Sequence, residues 1–275
     1  MALLILAQLS LLLAPARARI VPLGAAVQAN TTSVSADVYG EQPPGLTTLP
    51  DGGFVVIWNG AGVPNQPPAT GRRFDASGTA VGSEFQLAGV VGIPPIVAAN
   101  DRLIVSYFSQ QGNALVSAFT LDGVLQLTQL VGLPPGTGVR ALTLTSSGDL
   151  VLTWADLGPV FAQRYGTGDL HPSSPPIVVA SADFALNGVT IAGDSSDGFV
   201  AAWEADVGNG LWARQFDANN LPLEDVFPVV DPTELAELSG GPSVCVDDSG
   251  QFVVGWHDED HPIEFRRFDA QGNPL

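Results

Sequence analysis

Short runs of β-branched and aromatic residues alternate along this chain with clusters of Gly, Asp, Asn and Ser. Runs of that kind, bounded by turn residues, read as β-strands. Several are apolar without a break, among them Phe54-Val55-Val56-Ile57-Trp58, Phe199-Val200-Ala201-Ala202-Trp203 and Phe252-Val253-Val254. A strand covered on both faces carries that pattern, whereas a strand with one wet face alternates. No segment sustains a helical period. One helical turn is expected at Asp231-Pro232-Thr233-Glu234, where a capping residue precedes proline and a Glu stands three positions beyond it.

The runs recur in units. An aromatic closes the second run of each unit at Trp58, Phe108, Trp154, Trp203 and Trp256, spaced 46 to 53 residues apart. A second aromatic follows in step at Phe74, Phe119, Tyr165, Phe216 and Phe268. A period near fifty that holds several short strands is the mark of propeller blades. The expected blades cover 44–88, 94–131, 140–180, 189–230 and 243–269, with four strands in each of the first four and three in the last. Asp51-Gly52, Asp122-Gly123 and Asp197-Gly198 supply the left-handed residues that tight hairpins need. Residues 21–30 are expected to provide the outer strand that the fifth unit lacks, which would remove two open sheet edges. The fold expected is all-β: a five-bladed β-propeller of four-stranded blades, one domain over residues 19–275, with its N-terminal strand completing the last blade.

The repeated phrase joins 49–58 to the stretch from Phe74 to Phe85, 198–203 to Phe216-Asp217, and 252–256 to 267–272. It resembles the propeller-like repeats of large secreted bacterial proteins, which read approximately LxDGGFVVxW and then RFDxxGxxxGxEFxV. The resemblance implies a secreted β-propeller and little about activity. Many such proteins also carry calcium-binding glycine-aspartate nonapeptides, and this sequence has none.

Composition narrows the partners. The chain is 45% hydrophobic with 31 Gly and 22 Pro, a globular and turn-rich balance. Its formal net charge is −18, and every basic side chain is Arg. Such a surface repels phosphate backbones and anionic membranes, so nucleic acid is excluded as a partner and cations or basic proteins are its complement. Residues 1–18 read as a secretion signal, with an apolar core over 3–13, Pro15 and the small-residue site Ala16-Arg17-Ala18. The core is too short for a membrane span, and nothing after it reads as one. The expected location is secreted, periplasmic or at the cell surface. A single cysteine, Cys245, rules out an intramolecular disulfide, and its apolar run points to a buried small hydrophobe.

In a propeller, one face receives the turns within hairpins and the other the longer connections, where function tends to lie. The binding face expected here gathers Glu204, Asp206, Trp212, Asp231, Glu234 and Glu237. Beside them runs His257-Asp258-Glu259-Asp260-His261. Its carboxylates suit Ca²⁺ and its imidazoles a transition metal, although a solvated acidic loop is the plainer reading. Trp212 lies outside the repeating aromatics and reads either as an exposed anchor or as core, with core favoured. Glycoside hydrolysis requires two carboxylates flanking the scissile bond, and the innermost runs PGLTTL, PPIVAA, RALTLT, VTIA and SVCV contain none. The function expected is therefore a non-enzymatic interaction module for a protein or glycan ligand, with Ca²⁺ the one cofactor the acidic loop would suit. The alternatives are a carbohydrate-active enzyme on a five-bladed propeller and a structural repeat segment of a larger adhesin.

Overall fold

A computed structural model describes residues 28–31, 45–59, 68–134, 137–155, 159–181, 186–205, 210–230, 241–257 and 263–275. Blade one holds β1 (Gly45–Thr48), β2 (Phe54–Asn59), β3 (Pro68–Phe74) and β4 (Ala80–Val91). Blade two holds β5 (Ile96–Ala99), β6 (Arg102–Phe108), β7 (Ala114–Thr120) and β8 (Leu125–Leu130). Blade three holds β9 (Val139–Leu144), β10 (Leu150–Ala155), β11 (Val160–Tyr165) and β12 (Ile177–Ala180). Blade four holds β13 (Leu186–Gly193), β14 (Phe199–Ala205), β15 (Gly210–Phe216) and β16 (Phe227–Val230). Blade five holds β17 (Ser243–Val246), β18 (Phe252–Trp256) and β19 (Glu264–Phe268). Each blade is an antiparallel meander in chain order, and the first strands of successive blades lie against one another from β1 through β17. The five-bladed propeller read from the repeat is the fold observed.

The hydrophobic core lies between blades, which is why the second strands are apolar throughout. Leu103 and Val105 of β6 face blade one, in a cluster with Val55, Ile57 and Leu87, while Ile104 between them faces Leu142, Leu150 and Leu152 of blade three. In β14, Phe199, Ala201 and Trp203 pack toward blade three, and Val200 and Ala202 pack toward blade five. Each such side chain contributes about 1.5–3 kcal/mol on burial, so a polar residue at any of these positions would open a junction. The recurrent phenylalanines stand opposite each other across the second and third strands. Phe54–Phe74, Phe199–Phe216 and Phe252–Phe268 stack at centroid separations of 5.1, 4.7 and 4.8 Å.

The hairpin turns share one device. Asp75, Asp194, Asp217, Asp247 and Asp269 each direct Oδ1 to accept from the N–H groups two and four residues ahead. A side chain that mimics a backbone turn in this way explains why Asp begins the phrase so often. The Ser77 hydroxyl holds the Asp75 carboxyl below its ordinary range, and the Ser249 hydroxyl and Asn273 amide do the same for Asp247 and Asp269. The stretch 194–198, which looks like a calcium loop in sequence, is one of these turns. Its left-handed residue is Asp197, at φ 68°, not the glycine after it.

β4 is longer than the 83–88 expected from the sequence. Gly82 and Gly89, at φ 77° and 80°, let it continue through two register shifts against β3.

The last residues of the chain run beside the third strand of blade five. Pro274 bridges Phe268, and Leu275 N–H donates to Arg267, as Pro172 and Pro222 bridge the third-strand aromatics of blades three and four ahead of β12 and β16. Of the expected closing strand only residues 28–30 are described, outside any ladder. Arg72 Nη1 donates to the Ala29 carbonyl at 3.4 Å. Arg266, which holds the same place before its third-strand Phe, donates to the Val229 carbonyl of β16 in the preceding blade. Ala29 thus lies against blade one as Val229 lies against blade five. The secretion signal at 1–18 and the helical turn at 231–234 lie outside the described residues.

Candidate functional site

The first strands enter from the long-loop face and the second strands end there, so this face carries the mouth of the axial channel. The five strands along the axis contain no Asp or Glu. Their one charged side chain is Arg140, exposed, at the second position of β9. It is the extra residue of a bulge, since Val139 faces Trp154 and Ala141 faces Thr153. Bulges re-aim side chains and recur beside binding sites. Ser243 opens β17 at the same end, Thr190 lies within β13, and Thr47 and Thr48 lie toward the hairpin-turn end of β1, where Leu46 is 60% exposed.

Cys245 departs from expectation: it is exposed. Second strands are covered on both sides, but a first strand has one row of side chains open, and β17 alternates in exposure with Cys245 in the open row. An apolar run there is not a buried run.

The closing aromatic of blade two is shifted by one from the sequence reading. Leu103 faces Phe119 as Phe199 faces Phe216, so Tyr107, not Phe108, stands in register with Trp203, and Tyr107 is half-buried against the core between blades one and two. Phe108, one position further and on the other face of the strand, is 47% exposed. Its ring lies over Gly138, where an added Cβ would come within 2.4 Å of it.

Glu204 lies near the end of β14, half-buried, and His257 follows β18, exposed, so blades four and five bring one of each to this face. Trp212 is half-buried in β15 directly opposite Trp203, packed on the core between blades three and four. Asp206, Asp231, Glu234, Glu237, Asp258, Glu259, Asp260 and His261 lie outside the described residues. Among the described residues no three His, Cys, Asp or Glu side chains converge as a metal site would require. A carboxylate that the sequence reading passed over is Glu264, at the start of β19, whose Oε2 accepts from Trp256 Nε1 at 3.2 Å. His171, which has no visible partner in the sequence, sits 3.2 Å from Gln129 Nε2 of blade two.

No family profile and no curated protein sequence matches this chain. Solved structures do. The chain is similar to an α-L-arabinofuranosidase from Clostridium thermocellum at 9% identity, over 88% of this chain and 94% of that one, with a TM-score of 0.52. It is similar to an endo-arabinase from Bacteroides thetaiotaomicron at 11% identity, over 84% of this chain and 93% of that one, with a TM-score of 0.51. A third likeness is to the Dos1 propeller, at 15% identity over 84% of this chain and 57% of that one, with a TM-score of 0.51. The fold is that of a β-propeller. At these identities the likeness is one of propeller architecture, and function has to be argued from the site.

Proposed function

We propose that this propeller acts on carbohydrate, holding a saccharide at the long-loop mouth of its axial channel. The observation that carries this reading is the lining of that mouth: the Ser243 hydroxyl, an exposed aromatic in Phe108 and one exposed guanidinium in Arg140, with no carboxylate on the first strands. A sugar offers hydroxyls to Ser243 and Arg140, and the C–H face of its ring to Phe108. Polar groups that fix orientation and an aromatic that supplies contact area are the usual make-up of a small-ligand site. The likeness to two arabinan-directed enzymes supports a carbohydrate ligand over a protein-docking surface.

The strands along the axis give no acid and base pair, so the reading is of binding without cleavage. A glycosidase is the second reading, favoured by the same two likenesses. Its carboxylates would come from the strand ends and loops of blades four and five, where Glu204 and Glu264 lie. Inverting and retaining cleavage both need two such groups, set roughly 5–9.5 Å apart. One experiment separates the readings: calorimetric titration with arabino- and xylo-oligosaccharides, followed by chromatography of the same mixtures. Saturable binding that is lost in Phe108→Ala, with the sugar recovered intact, supports the proposal. Shortened products that vanish in Glu264→Gln support the glycosidase. Neither binding nor cleavage of any saccharide overturns both.

A further inference from the structure

The five blades repeat closely enough for each to serve as a template for the others, and the contacts across their junctions differ. The residue before the third-strand aromatic is Arg73, Ala118, Arg164, Gln215 and Arg267 in blades one to five. Arg164 is buried and crosses into blade four. Its Nε donates to Asn220 Oδ1 at 2.6 Å, and its Nη2 donates to the carbonyl oxygens of Asp197 at 2.6 Å and Asp217 at 3.4 Å. Gln215, also buried, crosses into blade five and donates to Ala270 at 3.2 Å. Blades two and three are tied by Asn100 to Thr167 and by Arg102 to the Gly168 carbonyl. Arg73 does not cross. It folds back on its own blade and pairs with Asp51 at 2.7 Å, as Arg267 stays on its own blade and donates to Gln251 Oε1 at 3.1 Å. Among the described residues no hydrogen bond joins the turns of blade one to those of blade two. Between them lies a cavity of about 130 Å³, bounded by Leu49, Asp51 and Arg73 on one side and by Ala98, Asp101 and Leu121 on the other.

Register identifies this space. Leu103 faces Phe119 as Phe199 faces Phe216, so Asp101 stands where Asp197 does and Thr120 where Asp217 does. The backbones agree: Asp101 and Asp197 are left-handed at φ 58° and 68°, and Gly123 and Asn220 at 81° and 64°. The cavity corresponds to the seat that the Arg164 guanidinium fills between blades three and four, with its own arginine withdrawn.

We propose that this cavity binds the guanidinium of an arginine side chain carried by a partner polypeptide. The Asp101 and Thr120 carbonyls take the places of the two that receive Arg164. Leu49, Ala98 and Leu121 pack the methylene stem, and the Asp101 carboxylate at the edge supplies a counter-charge, as Asp197 does at the same position beside Arg164. An ammonium would not reproduce the planar fork that the template uses. The net charge of −18 draws a basic partner toward the protein. This site lies on the hairpin-turn face, away from the channel mouth, and stands or falls independently of the carbohydrate reading.

The test is calorimetric titration of the full chain with Nα-acetylarginine methylamide and with its uncharged citrulline counterpart. The arginine compound is expected to saturate one site, and the citrulline compound to show no saturation. Asp101→Asn is expected to weaken binding about tenfold, the scale of one hydrogen-bonded charge lost. Ala98→Leu, which fills the cavity, is expected to abolish it; melting curves check that each variant is folded. Equal binding of the two compounds, undiminished binding by folded Ala98→Leu, or no saturation by the arginine compound would each overturn the proposal.

Discussion

Arg164 and Arg73 occupy the same place in the repeat, and the structure assigns them very different energetic weight. Arg164→Ala removes two hydrogen bonds of 2.6 Å from a charged donor that is 4% exposed. Hydrogen bonds to charged groups contribute about 1.5–3 kcal/mol each, so about 3–6 kcal/mol is at stake. The guanidinium also stacks over Phe199 at 5.9 Å, and that contact goes with it. Against these losses stands a recovered cost. Arg164 has no carboxylate in hydrogen-bonding contact and its Nη1 has no partner, so part of its desolvation penalty is returned when it is removed. The expected balance is a destabilisation of about 2–4 kcal/mol, in the range of a broken buried polar network.

For a chain of this size about 1 kcal/mol moves Tm by about 2–4 °C, so Arg164→Ala is expected to lower Tm by about 4–16 °C at neutral pH. Arg73→Ala breaks a pair whose side chains are 28% and 55% exposed. Solvent screens such a pair, and a shift of no more than about 2 °C is expected. Thermal unfolding followed by circular dichroism reads both. Equal shifts in the two variants, or an Arg164→Ala protein melting with the parent, would refute the claim that the cross-blade contact, and not the arginine itself, is what stabilises.

Three further outcomes follow from particular residues. Gly188 is left-handed at φ 71°, and a Cβ there would lie 2.6 Å from the Gly241 Cα; Gly188→Ala is therefore expected to cost more than the roughly 1–2 kcal/mol of the backbone penalty alone, and an unchanged Tm would count against that close approach. The Asp269 carboxyl, held low by the Asn273 amide, contributes stability that is present above the unfolded value of about 3.9 and lost as pH falls through its lower folded value. Asp269→Asn keeps an acceptor for the turn but does not titrate, so the parent's Tm should fall relative to the variant's below about pH 4, and parallel curves would contradict the assignment. Cys245 is exposed and should react stoichiometrically with a maleimide in the native chain, whereas protection until unfolding would place it in the core.

The blade architecture was legible because a propeller writes its packing directly into its sequence. Both faces of the second strands are buried in the middle blades and at least half-buried in β2 and β18, so Phe54–Trp58, Phe199–Trp203 and Phe252–Trp256 are near-continuous apolar runs, and Asp recurs in the hairpin turns. The first strands were legible as strands but not in their exposure. SVCV and IVAA are both largely apolar first strands, yet Cys245 is exposed and the side chains of β5 are half-buried. The site was legible only in part. Glu204 lies near the end of β14, Trp212 in β15 and His257 just after β18. Phe108, Arg140 and the cavity beside Asp101 left little trace, because each is defined by where a neighbouring blade stands, which periodicity along one chain does not encode.

Repetition also separates what is structural from what is not. A feature present in most blades answers a demand that every blade makes: the turn aspartates satisfy backbone donors, the paired phenylalanines fill the space between second and third strands, and the closing tryptophans cap the core. Twelve aspartates occupy the hairpin turns, and five of them are engaged with their own backbones in the same way, so acidity there is largely a by-product of turn-making. A feature found in one blade answers no such demand. Arg140 breaks an otherwise uncharged set of axial strands, Phe108 is an exposed aromatic one position beyond the closing residue of its strand, and Arg73 leaves open a seat of the kind that Arg164 fills. The first two lie at the channel mouth and the third on the opposite face. The carbohydrate site and the arginine seat that we propose therefore lie on opposite faces of the propeller.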